Sequence, residues 1–218
     1  MKTDMQVEAV EVPHMSERLS PGNSTGGRDA SFELLIRSAA LGDAAAFEQI
    51  MINTQQRVIS LTWRILGNQE DARDATQEVF LRVYKYLDRY EPEQDFFGWL
   101  YRITVNVCRD IERKRRRDSD RLTAETAQSA YVSTSENQED QAYLAQRREM
   151  ISRAIATLPE KERMSLVLRD LEGLTTEEVA NIMNTRPATI RVQISSARAK
   201  IKRSCDRFLR RRVRREDA

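Results

Sequence analysis

The sequence is poor in the residues on which most catalytic and metal sites depend. Its 218 residues include one histidine, His14, and two cysteines, Cys108 and Cys205. A histidine-based triad or metal centre has no support, so we expect no catalytic residue, no metal and no other cofactor. Both cysteines lie in helical patterns far apart in the chain, which favours reduced thiols in a cytoplasm. A two-cysteine redox switch is the alternative.

Long apolar runs are also missing. No run of about 18 apolar residues occurs, so no segment is expected to insert into a membrane. The first thirty residues lack the apolar centre of a signal peptide, which argues against export. With 32% charged and 40% hydrophobic residues, the composition predicts a soluble protein that is too polar for a membrane protein. Together with the two cysteines this predicts a cytoplasmic location.

Glycine and proline are sparse, with seven and five residues respectively. After residue 30 they separate long segments of helical period, which predicts an all-α chain. Five of these twelve residues fall in an N-terminal segment without period, which predicts a disordered tail. A second segment without period is rich in Ser and Thr and predicts an extended linker. The predicted divisions are a tail (1–29), a helical domain (30–117), a linker (118–136), a second helical domain (137–208) and a basic C-terminal tail (209–218).

The small net charge of +2 conceals alternating blocks of charge. Residues 68–95 carry eight acids against four bases, whereas residues 98–117 carry seven bases against two acids. Residues 118–141 are acidic again, and residues 186–218 hold twelve bases against three acids. Such blocks indicate two anion-binding surfaces and one surface for a basic partner, although solvated faces are the simpler alternative.

Residues 95–117 combine four aromatic side chains with five consecutive basic ones. As a helix, this stretch has an apolar stripe for the core, formed by Leu100, Ile103, Val107 and Ile111. A second face carries Trp99, Arg102, Asn106, Arg109 and Arg113. A ring for stacking, an amide for base edges and cations for phosphates are the groups of a nucleic-acid surface. An amphipathic helix with a solvated basic end is the alternative.

Local signals predict where the helices of the first domain begin and end. Ser31 can cap a short helix that Gly42 ends. Asp43 can cap a long helix that runs to Leu66, with Gly67 in the position just after its C-terminus. Asn68 opens the next helix, which continues to about Leu87. One stripe of that helix is acidic with exposed apolar groups and suits a basic partner helix, or simply adds solubility. The stripe contains Asp71, Asp74, Gln77, Glu78 and Leu81.

The second domain has the pattern of a helix-turn-helix. A capping box at Ser135 and Gln138 is its predicted start, and Pro159 restarts the chain. The predicted inward stripe of the supporting helix is Met164, Val167, Leu168 and Leu171. Thr175 and Glu178 form a second capping box, and a turn leads to Pro187 at the first position of the last helix. That helix should bury Ile190, Ile194, Ala197 and Ile201.

The opposite face of this last helix is the predicted duplex-reading face. Arg191 can make a bidentate contact to guanine, Val192 and Ala188 can touch thymine methyls, and Ser195 or Ser196 can bond either base type. Thr175, Thr189, Arg198 and Lys202 are better placed for phosphates. A helical hairpin that packs against protein is the alternative.

Three segments in this order resemble bacterial sigma factors of the extracytoplasmic-function (ECF) group of the sigma-70 family. Residues 71–80 resemble region 2.2, and residues 96–106 resemble regions 2.3 and 2.4. Region 4 is matched by residues 158–163, by residues 174–180 and by Ala197-Arg198. The resemblance implies an alternative sigma factor that binds core RNA polymerase and directs initiation from −10 and −35 elements, with residues 30–117 as sigma domain 2 and residues 137–208 as sigma domain 4.

The resemblance also implies partners and roles. The partners would be the β′ clamp helices and β flap of core polymerase, promoter DNA and an anti-sigma factor. Docking on the clamp helices would use Asp71, Asp74, Gln77, Glu78, Phe80 and Leu81. The −10 strand, with a base flipped into the loop from Tyr90 to Phe97, would meet Tyr90, Phe96, Phe97, Trp99, Arg102, Asn106, Arg109 and Arg113. The −35 element would meet Thr175, Arg186, Thr189, Arg191, Val192, Ser195, Ser196, Arg198 and Lys202.

Two departures from the family pattern lie in the last helix. Its start reads Arg186-Pro187-Ala188-Thr189 where Pro-Val-Gly-Thr is usual, and neutral Val192, Gln193 and Ser196 occupy positions that are often basic. The −35 preference should therefore differ from the common one. Other hypotheses are a lone helix-turn-helix repressor or activator, which would not need residues 96–117, and a nuclease, for which the carboxylates form no metal constellation.

Overall fold

The computed structural model describes residues 30–91, 95–119 and 149–216. The predicted tail 1–29, the linker beyond residue 119 and the capping box at Ser135 and Gln138 lie outside these ranges. Helices make up nearly all of the described residues, and none of these residues lies in a strand. The helices are α1 (Ala30–Ala40), α2 (Ala44–Leu66), α3 (Gln69–Tyr86), α4 (Phe96–Ser119), α5 (149–156), α6 (Glu160–Leu166), α7 (Thr176–Met183) and α8 (Pro187–Glu216).

Polar caps set the helix boundaries of the first domain. Asp43 Oδ1 accepts hydrogen bonds from the backbone N–H groups of Ala45 and Ala46 at 2.9 and 3.1 Å. Gly67, at φ 69°, closes α2 through its N–H bond to Trp63, and Asn68 caps α3. These three predictions are confirmed. The prediction for Ser31 is wrong, because α1 begins at Ala30 and Ser31 lies inside its first turn.

The first domain is a bundle of α1 to α4 in which α2 packs against the three other helices. Its fully buried side chains include Ile50, Leu61, Ile65, Val79 and Val83. A 3₁₀ turn, Leu87–Arg89, ends α3, and α4 continues to Ser119, two residues into the predicted linker.

Helix α4 is buried more widely than its predicted stripe. Leu100 and Val107 are buried as expected, but Ile103 and Ile111 are only half-buried. Val105 and Cys108, which lie outside the stripe, are fully buried. The reason is that α4 is covered on two sides, by α2 and α3 and by the second domain.

The second domain confirms the helix-turn-helix prediction in most details. Thr175 and Glu178 form the reciprocal capping box, and Asn184 takes a left-handed conformation, φ 51°, in the turn before Pro187. Ile190, Ile194 and Ala197 are buried, and Ile201 is half-buried.

The prediction that Leu171 faces the core is wrong. Met164, Val167 and Leu168 are fully buried, but Leu171 is 37% exposed. Residues Val167–Leu171 form a π-helical turn, in which the Glu172 N–H bonds to the Val167 carbonyl five residues back. The extra residue in this turn rotates position 171 away from the stripe.

The two domains are packed directly against each other. Helix α4 contacts α7, and α2 contacts α6 and the π-helical turn. The buried apolar side chains of both domains therefore form one continuous cluster.

Candidate nucleic-acid and polymerase interfaces

The acidic face of α3 is accessible over most of its length. Asp74 and Gln77 are exposed, and Leu81 is 64% exposed although it is a large apolar side chain. Asp71 pairs with Arg115 at 3.2 Å, and Glu78 pairs with Arg82 at 2.7 Å. An accessible apolar residue among carboxylates is an arrangement that suits a partner helix with apolar and basic groups.

Two residues change the predicted membership of this face. Phe80 is only 6% exposed and packs in the core, so it can support the surface but offers little area to a partner. Tyr84 is 58% exposed and rests edge-on against Phe47, with ring centroids 5.0 Å apart. The sequence interpretation missed Tyr84, although its position three residues after Leu81 puts it on the same helical stripe.

An aromatic cluster surrounds the start of α4. The Phe96 ring is buried and lies 5.4 to 5.8 Å, between centroids, from the rings of Phe32, Tyr90, Phe97 and Trp99. The Arg57 guanidinium lies 4.5 Å from the Phe97 centroid, a cation–π contact. Phe96 therefore acts from within, holding the half-buried rings of Tyr90, Phe97 and Trp99 in place. Phe32 and Arg57 come from α1 and α2, and no local pattern predicts their part in the cluster.

The N-terminus of α4 is fixed by Asp95. Its Oδ2 accepts a hydrogen bond from the Gly98 N–H at 2.8 Å, and its Oδ1 accepts one from the Phe97 N–H at 3.3 Å. A Cβ on Gly98 would lie 3.1 Å from Asp95 Oδ2, so a glycine leaves room for this close cap. The cap sets the start of the helix and thereby the direction in which Trp99 points.

The predicted DNA face of α4 is open. Arg102, Asn106 and Arg113 are exposed, and Trp99 and Arg109 are half-buried. These residues recur at three- and four-residue intervals, so one side of α4 presents a ring, an amide and three guanidinium groups. The structure thus places the five predicted −10 residues of this face together, with Tyr90 and Phe97 near the start of α4, whereas the predicted Phe96 is buried beneath the rings.

The outward face of α8 is open as well. Arg191, Ser195 and Lys202 are exposed, and Val192 is 69% exposed. Two of the basic side chains are held by carboxylates of neighbouring elements. Arg198 makes a bidentate bond to Asp170 at 2.7 and 2.9 Å, which raises the pKa of this arginine. Arg191 lies 3.3 Å from Glu177.

Besides Arg191, three residues of the predicted −35 set already have bonds within the domain. The half-buried Ser196 donates to Glu162 at 3.1 Å, and the exposed Thr175 hydroxyl bonds Glu178 in the capping box. Arg198 is committed to Asp170, as described above. The half-buried Gln193 accepts a bond from the buried Ser165 at 2.6 Å, which ties α8 to α6.

A polar network joins the two domains at α4. The Glu172 carboxylate accepts bonds from Arg64 at 2.6 Å and from the Tyr101 hydroxyl at 3.1 Å. Burial and this carboxylate raise the pKa of Tyr101. Glu112 and Arg163 form a second, more deeply buried pair. Burial raises the pKa of Glu112 against the opposing pull of Arg163.

The described residues contain neither a membrane-spanning helix nor a metal-binding cluster. None of their helices is long and apolar enough to cross a membrane. In the same part of the chain, no group of three or more His, Cys, Asp and Glu side chains is arranged to hold a metal ion.

The described residues form two helical domains, with an acidic face on α3 and basic faces on α4 and α8. Family models match both domains: Sigma-70 region 2 matches residues 51–118, and Sigma-70 region 4 matches residues 148–201. The match to region 2 also argues against a lone helix-turn-helix regulator, which has no such domain.

Relatives of known function agree with these matches. The chain is 33% identical to the ECF RNA polymerase sigma-E factor of Escherichia coli over 185 residues, 82% of this chain and 96% of that protein. It is 30% identical to the RNA polymerase sigma-H factor of Pseudomonas aeruginosa, with 81% of this chain and 94% of that protein covered. The chain belongs to the ECF sigma factors of the sigma-70 family, and it is a promoter-directing factor of transcription initiation.

Solved structures share the fold. CnrH in complex with the cytosolic domain of CnrY has a TM-score of 0.58 at 23% identity, covering 81% of this chain and 97% of that chain. The sigma factor RpoE in complex with the anti-sigma factor NepR, from Bartonella quintana, has a TM-score of 0.60 at 20% identity, covering 73% and 96%. At these identities the likeness establishes the fold alone.

Proposed function

We propose that the chain replaces other sigma subunits on core RNA polymerase and divides its work among three surfaces. The α3 face docks on the polymerase, the α4 face binds the opened −10 strand, and the α8 face reads the −35 duplex. The observation that supports this division most directly is that most of the predicted residues lie on three separate, accessible surfaces, while Phe80 and Phe96 are buried beneath two of them. No bond-making chemistry belongs to the chain, which acts by binding.

The docking surface in this proposal is Asp71, Asp74, Gln77, Glu78, Leu81 and Tyr84, supported from below by Phe80. Carboxylates around an apolar centre complement the basic and apolar groups of a partner such as the β′ clamp helices. Asp74 is exposed and Glu78 is half-buried, so both can be changed without opening the core.

Strand opening in this proposal is driven by binding energy. A base that leaves the duplex loses stacking, at a cost of a few kcal/mol. Stacking on an aromatic side chain returns about 1–3 kcal/mol per base. Trp99, Tyr90 and Phe97 offer such rings around the buried Phe96, and Arg102, Arg109 and Arg113 neutralise phosphates along the strand. Asn106 offers an amide to a base edge.

Duplex reading in this proposal belongs to the N-terminal half of α8. Arg191 pairs with a guanine, and Val192 and Ala188 pack against thymine methyl groups. Ser195 or Ser196 serves as an adaptable hydrogen-bonding group to a base, while Thr175, Thr189, Arg198 and Lys202 lie at the phosphates on either side, and Arg186 belongs to the same surface. The neutral Val192 and Gln193 make this preference differ from that of members with basic residues there.

The partners follow from family membership. The sigma factor RpoE of the solved complex is bound by an anti-sigma factor, NepR. We propose that an anti-sigma factor likewise restrains this chain, that the β flap of polymerase contacts domain 4, and that the chain acts in the cytoplasm.

The test of the proposed function is reconstitution. Core polymerase with this chain should form a complex in size-exclusion chromatography and initiate at a cognate promoter, whereas core alone should not. The variant Asp74→Lys, Glu78→Lys should lose the complex while keeping its helical circular-dichroism spectrum. The matched control is Glu48→Lys, Asp88→Lys, which makes the same charge change at two exposed positions off the face. Normal complex formation by the first variant would refute the docking surface.

A further inference from the structure

The supporting helix α6 holds one side of α8 through polar side chains. The Glu162 carboxylate accepts a bond from the Ser196 hydroxyl at 3.1 Å and two from the Lys200 ammonium at 2.7 and 2.8 Å. The Glu162 side chain is only 16% exposed, so this contact lies mostly away from solvent. About one turn nearer the start of α8, the buried Ser165 of α6 bonds Gln193 at 2.6 Å. Together these bonds fix the rotation of α8 about its axis.

Ser196 nevertheless lies beside the predicted duplex-reading face. It follows Val192 by four residues, so it lies one helical turn further along the same side of α8. Val192 is 69% exposed, and Ser196 is half-buried. One helical turn is about 5.4 Å long, and one base pair rises about 3.4 Å. A helix aligned with the major groove would therefore place Ser196 about one or two base pairs from the pair that Val192 contacts.

The bond to Glu162 determines what the Ser196 hydroxyl can offer to DNA. A serine hydroxyl has one proton and two lone pairs, whereas a carboxylate can only accept. The proton of Ser196 is therefore committed to Glu162, and only the lone pairs remain for a base. A hydrogen bond to an ionised group is about twice as strong as one between neutral groups, so a neutral acceptor on a base competes poorly for this proton.

The four bases differ in whether their major-groove edges donate. On the strand that Ser196 meets, adenine offers its N6 amino group and cytosine its N4 amino group, whereas guanine and thymine offer only acceptors. Phosphate oxygens cannot donate to Ser196, and the nearby Glu162 carboxylate repels them. A hydroxyl that can only accept therefore matches an amino group and no other group of the duplex at this place.

Resting on the −35 surface proposed above, we propose that Glu162 is a positioning residue for base selection. It commits the Ser196 hydroxyl to accept, and Ser196 then selects adenine or cytosine at one position of the −35 element. Glu162 itself contacts no DNA, and Lys200 balances its charge. The preference at this position is thus set by a pair of residues on two helices.

Selection from a pool of duplexes tests this assignment. Core polymerase reconstituted with the full chain is bound to promoter duplexes with a premelted −10 region and a randomised −35 element, and the bound fraction is sequenced. Wild type should enrich adenine or cytosine about 2- to 10-fold at one position, the ratio expected for one neutral hydrogen bond. This position should lie about one or two base pairs from the one at which Val192→Ala loses its preference.

The two partners should act as one unit in this selection. Ser196→Ala and Glu162→Ala should each remove the preference at the same position, and the double variant should lose no more than either single variant. Glu162→Gln keeps an acceptor for the hydroxyl and should keep the preference. Lys200→Gln is the matched control, since it removes the other partner of Glu162 and should leave the preference unchanged. The exposed Ser195 lies about 100° away around α8, so Ser195→Ala should also leave this position unchanged.

Base analogues separate the contact from a general loss of order in α8. The selected base is replaced by one that lacks the amino group, purine for adenine or 2-pyrimidinone for cytosine. Wild type should bind this duplex about 2- to 10-fold more weakly than the unmodified one. Ser196→Ala should bind both duplexes equally, because it has no hydroxyl to accept from the amino group.

The possible results lead to different conclusions. Enrichment of guanine or thymine at the position that depends on Ser196 would overturn the assignment, as would an unchanged preference in Ser196→Ala. Loss at different positions in Ser196→Ala and Glu162→Ala, or equal weakening of every duplex in Glu162→Ala, would also overturn it. A wild-type complex that selects no −35 sequence at all would instead refute the proposed −35 surface.

Discussion

The two helices with accessible basic faces, α4 and α8, present different chemistry to a nucleic acid. Beside the face of α4 is an aromatic cluster, in which Trp99 lies 5.4 Å from Tyr90 and 5.8 Å from Phe96 between ring centroids. Between residues 187 and 207, where its side chains are described, α8 has no ring, and the centre of its outward face consists of small or slender side chains: Ala188, Val192, Ser195 and Ala199. Cations flank both faces.

This difference teaches which form of DNA each helix suits. An unstacked base has an open π face, so rings recognise it well and with little regard to sequence. A duplex exposes only base edges, and a slender helix face can approach those edges closely in the major groove. The supports differ as well, because Trp99 is held by apolar packing, whereas Arg198 and Arg191 are held by Asp170 and Glu177.

The largest effect is expected from removing the ring on α4. Trp99→Ala should reduce formation of the open promoter complex by about 10- to 100-fold, since stacking contributes about 1–3 kcal/mol per base and packing against Tyr90 is also lost. Permanganate reactivity of the −10 strand measures the opening. Binding of a −35 duplex should remain unchanged. Tyr86→Ala is the aromatic control, since this half-buried ring lies outside all three proposed surfaces. Equal loss of −35 binding in Trp99→Ala would contradict the division of labour.

The next largest effect is expected from removing a base contact on the outward face of α8. Arg191→Ala should cost about 1–3 kcal/mol at one base pair, which is about 5- to 150-fold in affinity, and should relax the preference at that pair. Strand opening on a template with a premelted −10 region should be unaffected. The measurement is the affinity of Arg191→Ala for duplexes in which each base pair is varied in turn. The same series is measured for Val192→Ala, and the two profiles are compared. If Arg191→Ala lowers the affinity for every duplex by the same factor, Arg191 contacts a phosphate and not a base.

Local sequence signals were sufficient for most of the fold. The caps at Asp43, Asn68 and Thr175 each satisfy orphan backbone N–H groups through residues close in the chain, so their effect is readable without tertiary information. The inward face of α8 followed from the helical period. The error at Leu171 arose because a π-helical turn breaks that period, and nothing in the local sequence marks the turn.

The sequence predicted those parts of the site whose residues lie together on a single helix. Spacing alone grouped Trp99, Arg102 and Asn106 on one face. Residues that act through long-range packing were missed, among them Phe32 beneath Phe97 and Glu172 between the domains. For the same reason the burial of Phe80 in α3 and of Val105 and Cys108 in α4 was not anticipated, since it depends on neighbouring helices that pack there only in the folded chain.

A smaller effect, on stability, is expected from removing the N-terminal cap of α4 or that of α7. Asp95→Ala and Thr175→Ala should each lower the free energy of unfolding by about 0.5–2 kcal/mol, because each leaves helix N–H groups without an acceptor. Only Asp95→Ala should also impair strand opening, since the cap orients Trp99. Chemical denaturation followed by circular dichroism gives the stability, and Asp95→Asn, which keeps an acceptor, is the control. Equal opening defects in both variants would contradict the comparison.

The smallest effect is expected at the phosphate contacts of α8. Lys202→Gln should weaken −35 binding a few-fold at moderate salt and by the same factor on every sequence, because a phosphate carries no base identity. The slope of log affinity against log salt should fall by about one, the value for one released counterion. Arg113→Gln should make the same change for the −10 strand, with a slope nearer 0.7 because single strands hold fewer counterions. Titrations at several salt concentrations distinguish the two slopes, and equal slopes would mean that Arg113 meets duplex DNA, so that α4 extends its contacts upstream of the opened strand.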